Sequence, residues 1–297
     1  MSRLAEKIAS GQRILTAEIS PPKGAGIKKL VKHAELIGPL VDAINITDCQ
    51  RALVKMSSMA ACRVIQDAGF ESVFQLTCRD RNGIALQSDL MGASALGINN
   101  VLCLTGDPVK VGDSPKSKSV FEVESVKLLH LLRSLQNGRD GEGAKMNAPT
   151  KFTVGAVVNP TMGQNLSQLA RMEKKVEAGA QFFQTQANYD LDDFCAFLEK
   201  AKPLNTKVLG GILILHSYEV AKYIHENIPG IRVPDSVLER FQKSDDPRRT
   251  GIEFAVETMH RIEPLCAGFH VMSVREEELI PAVIQTFGEK YGQRNIR

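Results

Sequence analysis

The sequence predicts a single (β/α)8 barrel, a TIM barrel of the α/β class, spanning residues 1–297 as one domain. Three observations predict it. Eight short β-branched or apolar runs recur along the chain. Each is followed by a longer amphipathic stretch, the alternation that gives a parallel sheet with crossover helices. Several of those stretches also stop at a glycine: Ala68-Gly69, Leu96-Gly97 and Ala178-Gly179 each place one where a helix end needs a left-handed residue.

The first four strands are expected at 13–18 (RILTAE), 42–47 (DAINIT), 72–77 (SVFQLT) and 99–104 (NNVLCL). The other four are expected at 152–158 (FTVGAVV), 181–186 (QFFQTQ), 207–213 (KVLGGIL) and 268–273 (GFHVMS). Helices are expected over 26–38, 55–69, 83–96, 120–136, 165–179, 190–201, 217–227 and 248–263, with a last one near 275–288. Eight such units fit a closed barrel of about 250 residues better than an open doubly wound sheet. Two connections are long. The segment 106–119 follows the fourth strand and lies on the catalytic face, where such a loop serves as a lid or clamp. The segment 137–150 follows a helix and belongs to the opposite face, with a structural role.

Composition narrows the function. Of 297 residues, 43% are hydrophobic and 24% charged, the balance of a globule with a sizeable core. The net charge of +3, without a basic block interleaved with aromatics, gives no footprint for nucleic acid. The longest apolar run, Val208 to Leu215, is far shorter than the about 20 residues a membrane span needs. The start has no signal-type apolar core, so a cytoplasmic location is expected. The six cysteines form no C-x-x-C pair and are expected to be reduced and mostly buried. The six histidines show neither H-x-x-x-H nor H-x-H spacing, so no metal centre is expected. Gly141-Glu142-Gly143 opens like a dinucleotide fingerprint, but Met146 stands where its third glycine belongs and the run precedes a strand. No G-x-S-x-G elbow exists, and no cysteine has a local acid–base partner, so nucleophilic hydrolysis has no support.

Barrel chemistry sits at the C-terminal ends of the strands. Glu18, Thr47-Asp48, Gln75 and Thr77, Thr105-Gly106-Asp107, Asn159, Gln184-Thr185-Gln186, His216-Ser217-Tyr218, and His270 with Ser273 and Arg275 stand there in strand order. Burying a carboxylate without a partner is costly, so Glu18 and Asp107 need a reason to be at such a rim. A cap or a neighbouring cation would explain either one alone. Polar residues at so many strand ends indicate a ligand site, without saying which ligand. His270 reads as a satisfied core histidine, and Lys174-Lys175 reads as a solvated helix face.

Six segments, in register over nearly the whole chain, carry a resemblance. They are Thr16-Ala17-Glu18-Ile19-Ser20-Pro21-Pro22, Gln75-Leu76-Thr77-Cys78, Leu104-Thr105-Gly106-Asp107-Pro108, Lys174-Lys175-Val176-Glu177-Ala178-Gly179-Ala180, Thr185-Gln186 and Gly211-Ile212-Leu213. Together they resemble the methylenetetrahydrofolate reductases. The Leu-Thr-Gly-Asp-Pro run resembles the branch that includes the acetogen enzymes and the barrels fused to homocysteine methyltransferases. Enteric-type members instead carry His at the place of Gln75, Arg at the place of Thr105, and Tyr-Pro-Glu where Gly155-Ala156-Val157-Val158 stands.

The resemblance implies a barrel that binds FAD and reduces 5,10-methylenetetrahydrofolate to 5-methyltetrahydrofolate, a flavin-dependent step of one-carbon metabolism and methionine biosynthesis. It implies Glu18 as the general acid at N10 of the folate and Asp107 as a charge favouring the 5-iminium cation. Thr47, Gln75, Thr105, Gly106, Asp107, Asn159, Lys174 and Lys175 fall at flavin-binding positions, the two lysines toward pyrophosphate or ribose. Gln186 is implied for the pterin, Tyr218 for packing against the folate or nicotinamide ring, and Arg275 for the folate tail. The electron donor stays open between NADH, NADPH and a partner subunit. A homo-oligomer and a catalytically silent folate-binding subunit also stay open.

Overall fold

A computed structural model describes residues 2–160, 165–228 and 230–289. Eight parallel strands close into a barrel in sequence order. They are β1 (Ile14–Ile19), β2 (Ala43–Ile46), β3 (Ser72–Thr77), β4 (Asn100–Leu104), β5 (Thr153–Val158), β6 (Phe182–Thr185), β7 (Lys207–Ile214) and β8 (Gly268–Ser273). Closure comes from β8 pairing with β1, Ile14 against Gly268 through Ala17 against Val271. The eight runs expected from the sequence are these eight strands.

The helices are α1 (Arg3–Ser10), α2 (Lys28–Ile37), α3 (Ser58–Asp67), α4 (Gly83–Ala95), α5 (Ser125–Gln136), α6 (Asn165–Glu177), α7 (Leu191–Ala201), α8 (Tyr218–Asn227), α9 (Asp235–Gln242), α10 (Pro247–Ile262) and α11 (Leu279–Glu289). Sequence patterning finds all but α1 and α9. Polar side chains start the helices after β3, β6 and β7: Asn82, Asp190 and Ser217 each accept the backbone N–H three residues on. The glycine stops hold, with Gly69, Gly97 and Gly179 all at positive φ.

Successive strand side chains alternate between the barrel axis and the helix layer. The outward set, including Ile44, Phe74, Leu76, Val101 and Phe183, joins the helices in the main core. The inward set at the N-terminal end is apolar: Ile14, Ala43, Val73, Leu102, Phe182 and Leu209 pack together. Leu4 of α1 joins this cluster, so that short helix plugs the bottom of the barrel. The Phe182 ring fits because the facing position is Gly155, where a Cβ would lie 2.3 Å from it. One step higher the inward positions are polar, and they carry the floor of the site. All six cysteines are free thiols; Cys62, Cys78 and Cys103 are buried, and Cys49, Cys195 and Cys266 are half-buried.

Candidate active site

Above the apolar plug, four side chains from four strands form a hydrogen-bonded floor. Asn45 donates from Nδ2 to Gln184 Oε1 across the barrel at 2.6 Å. Gln184 donates from Nε2 to Thr16 Oγ1 at 3.3 Å, and Thr16 Oγ1 lies 2.9 Å from His270 Nδ1. All four are buried. Buried polar groups linked in this way are held in one arrangement, because breaking any bond leaves a desolvated partner.

Glu18 stands two residues above Thr16, on the same inward face of β1. Its side chain is 14% exposed. Oε2 accepts from Gln75 Nε2 at 3.0 Å and lies 3.7 Å from His270 Nε2. Oε1 accepts from Gln50 Nε2 at 3.2 Å. Thr47, fully buried, lies beside it and pairs with Ser20 through their hydroxyls at 3.0 Å. Glu18, Thr47 and Gln75 are therefore brought together, as their strand ends foretold.

Asp107 lies on the same face but is exposed, which corrects the expectation of a buried carboxylate there. It stands past the end of β4, beyond the walls, and its Oδ2 accepts the backbone N–H of Arg51 at 3.0 Å. The segment carrying Arg51 is unusual. Cys49, Arg51 and Ala52 all have positive φ, a left-handed backbone that costs a non-glycine residue free energy. The loop after β4 holds this turn from above: Gly112 lies against the Ala52 carbonyl so closely that a Cβ would sit 1.9 Å from its oxygen. Asp113 accepts the Val54 N–H at 2.8 Å and pairs with Lys23 from the loop after β1. The guanidinium of Arg51 lies over the Tyr223 ring of α8, 5.5 Å from its centroid, and donates to its hydroxyl. The long connection 106–119 thus clamps the neighbouring loops after β1 and β2.

Beneath the clamp lies a run that sequence reading passed over, Arg79-Asp80-Arg81-Asn82. Arg81 donates to Asp48 at 2.7 Å and to Asp89 at 2.8 Å. Asp48, buried, also accepts from the N–H and hydroxyl of Thr77, each at 2.9 Å. Burial works against the Arg81 charge, but Asp48 and Asp89 outweigh it and raise its pKa. Arg79 is 1% exposed and is held by the adjacent Asp80, yet its Nη1 is buried without an acceptor. Gly106, at φ 94°, packs on the Arg79 Cβ. The signal available in the sequence was the strand register itself: Arg79 continues the inward series Val73, Gln75, Thr77.

The other expected residues are more dispersed. Asn159, past β5, is half-buried with an Oδ1 that is buried and unbonded. Lys175 donates from Nζ to the Val157 carbonyl at 2.8 Å, and burial lowers its pKa. Lys174 is exposed, as are Thr105 and Arg275, the last in a left-handed conformation at φ 64°. Gln186 and Tyr218 are half-buried at the ends of β6 and β7. A cleft of about 430 Å³ lies past the ends of β5 and β6, against the segment before α9, with Asn188, Asp190 and Arg232 in its wall; neither Gln186 nor Tyr218 lines it.

Comparison with known proteins bears on the family and on the barrel. A family model described as methylenetetrahydrofolate reductase matches residues 3–288. Methylenetetrahydrofolate reductase 1 of Schizosaccharomyces pombe is 25% identical over 240 residues, 76% of this chain and 37% of the relative. The Escherichia coli 5,10-methylenetetrahydrofolate reductase is 22% identical over 233 residues, 75% of this chain and 72% of the relative. The chain spans less than half the length of the eukaryotic relatives it matches, 47% for the second S. pombe enzyme. Among solved structures, a Clostridium thermocellum protein described as binding two copies of 5-methyl-5,6,7,8-tetrahydrofolic acid has a TM-score of 0.70 at 16% identity. That match covers 95% of this chain and 98% of the other. DmoA from Hyphomicrobium sulfonivorans has a TM-score of 0.57 at 8% identity, covering 92% and 86%. At such identities the structural likeness speaks to the barrel alone.

Proposed function

Because the chain belongs to the methylenetetrahydrofolate reductase family, we propose that it reduces 5,10-methylenetetrahydrofolate to 5-methyltetrahydrofolate, with FAD as its cofactor and NADH or NADPH as donor. The observation that carries the proposal is Glu18, a carboxyl group at the barrel mouth contacted by Gln75, Gln50 and His270. The family match over residues 3–288 supports a folate as the small molecule.

The residues present fit a flavin. Asn159 Oδ1 and Arg79 Nη1 are buried without partners, and a cofactor carrying both donors and acceptors would satisfy an orphan of each kind. Lys175, with Lys174 beside it, offers a cation suited to a phosphate. Thr47, Gln75, Thr105, Gly106 and Asp107 line the rest of the proposed cofactor face. FAD, when bound, supplies the hydride. The protein's part is acid catalysis and charge placement. Glu18 delivers a proton to N10 of the folate, which opens the five-membered ring. Thr16 and His270 lie behind it, so a hydrogen bond to Nδ1 leaves Nε2 facing the carboxyl group. Asp107 places negative charge where the 5-iminium cation forms. Gln186 binds the pterin, Tyr218 packs on the aromatic part of the folate, and Arg275 meets its tail.

One observation favours a second reading, electron delivery by a partner subunit. The clamp exposes Leu53, Val54, Val111, Val120 and Phe121 on the face where electrons must enter. Patches of this kind mark association surfaces. The test is the absorption spectrum of the purified protein followed by anaerobic titration with NADH, NADPH and a reduced dye. A yellow protein bleached by a nicotinamide and reoxidised by methylenetetrahydrofolate supports the main reading. A yellow protein bleached by the dye alone supports the second. A colourless protein that binds folate but does not bind added FAD overturns both.

A further inference from the structure

Outside the mouth, a histidine and two adjacent glutamates more than two hundred residues further along the sequence meet behind β8. His33 lies on the buried stripe of α2 with Leu30, Ala34 and Ile37, a position where a histidine needs a purpose. Glu277 and Glu278 lie between β8 and α11. His33 is 3% exposed and Glu277 9%. One ligand atom from each of the three side chains can be chosen so that all lie within 4.8 Å of one another. His33 Nε2 is 3.4 Å from Glu278 Oε1, and His33 Nδ1 is 3.9 Å from Glu277 Oε2.

The protein alone leaves this cluster incomplete. His33 Nε2 and Glu277 Oε2 are both buried and make no hydrogen bond. Leaving such a group desolvated and unbonded is unfavourable. The two carboxylates also stand close enough to repel. An imidazole and two carboxylates around a shared space match the donor set of a divalent cation of the zinc class. For bonds of about 2.0–2.2 Å, tetrahedral ligands stand about 3.3–3.5 Å apart, close to the separation of His33 and Glu278.

We propose that His33, Glu277 and Glu278 bind one divalent transition-metal cation, with zinc the best match, and that water completes its coordination. The cation takes one nitrogen of His33 and one oxygen from each glutamate, and the two carboxylates balance its charge. Glu278, with half its side chain exposed, provides the way in. The site is separate from the proposed chemistry. It staples α2, the helix after the Glu18 strand, to the segment after β8, where Arg275 takes up its left-handed turn. Pattern reading misses it because the ligands come from opposite ends of the chain, with no local spacing to reveal them.

The test uses the full chain, stripped with a chelator and then titrated with Zn²⁺, and with Co²⁺ as a visible reporter. The expected result is one equivalent of Zn²⁺ bound, a rise in melting temperature, and a Co²⁺ visible band. Glu278→Gln, an exposed position safe for folding, should weaken Zn²⁺ binding by roughly 100-fold. Glu277→Gln should abolish the Co²⁺ band. Mg²⁺ at the same concentration should give no melting shift. Absence of a Co²⁺ band and a Zn²⁺ shift in the wild type overturns the proposal, as does unchanged Zn²⁺ affinity in both variants. None of these readouts depends on flavin or folate, so failure here is distinct from failure of the reductase reading.

Discussion

Gln75 on β3 holds its amide 3.0 Å from the carboxylate of Glu18 on β1, and so ties the end of one strand to another across the intervening β2. The contact fixes where the Glu18 oxygens point. Replacement by glutamine keeps the size and hydrogen-bonding reach of the side chain but removes the proton. Glu18→Gln should therefore lower methylenetetrahydrofolate reduction by about 100-fold or more, in the range of lost acid catalysis. Reduction of the flavin by its donor should be largely intact. Stopped-flow traces of the two half-reactions decide the matter, and folate turnover at the wild-type rate removes Glu18 from its role.

Asp107, proposed to place charge at the folate, stands exposed past the end of β4. Gln50 contacts Glu18, and the next residue, Arg51, gives its backbone N–H to Asp107, so two consecutive residues bridge the two acids. Asp107→Asn retains an oxygen for that N–H and removes only the charge. Slower folate reduction, by about 10-fold or more, and a shifted flavin potential are expected. Stopped-flow rates and a redox titration measure both. An unchanged rate together with an unchanged potential would place Asp107 outside the chemistry.

The barrel was legible because eight short apolar runs alternate with longer amphipathic stretches, several of which stop at a glycine of positive φ. Two helices escaped. α1 buries only Leu4, too little apolar content to show as a stripe, and its value lies in plugging a barrel that the local sequence does not reveal. α9 did carry a signal, Val237 and Phe241 four apart and both buried after Pro234, but it lies outside the strand–helix alternation. At the site, the ends of β1 and β3 set Glu18 and Gln75 within hydrogen-bond reach of one another. The clamp could not be read, because left-handed backbone at Cys49, Arg51 and Ala52 occurs without glycine and depends on loops from other strands. His270 was read as a core residue. Its Nδ1 contact with Thr16 bears that out, while its place 3.7 Å from Glu18 adds a role that only the folded barrel shows.

The clamp makes a prediction of its own. A methyl group at Gly112 meets the Ala52 carbonyl oxygen at 1.9 Å, backbone that can yield only if the loops part. Gly112→Ala should leave the barrel folded and loosen 109–121. The expected signature is faster tryptic cleavage at Lys110, Lys116 and Lys118 and weaker flavin retention on dilution, with a melting temperature within a few degrees of the wild type. Unaltered cleavage would mean that the two loops do not hold one another in solution.

Alkaline pH tests the outer core. Burial is the main reason the Cys62 thiol is pushed up from 9.0 to about 12; the nearby Ser72 hydroxyl opposes the shift and the Asp48 charge adds to it. Burial also takes Cys78 up to about 12 and Cys266 to about 11. A folded pKa above the unfolded value means that the native state keeps a proton that the unfolded chain releases. The stabilisation is complete below pH 9.0 and is lost as pH rises from there toward the folded pKa. The loss is about 1.4 kcal/mol per pH unit for a fully buried thiol such as Cys62. Lys175 has the opposite sign. Burial lowers its pKa from 10.5, so between that lowered value and 10.5 the unfolded chain holds the extra proton and stability rises with pH. Lys175 offsets part of the thiol effect up to pH 10.5 and none above it, where the decline should steepen. Urea midpoints from pH 8 to 11 should fall with this curvature, and Cys62→Ala should show a shallower fall than the wild type. Parallel curves for the two proteins would show that Cys62 releases its proton in the folded state as readily as in the unfolded one.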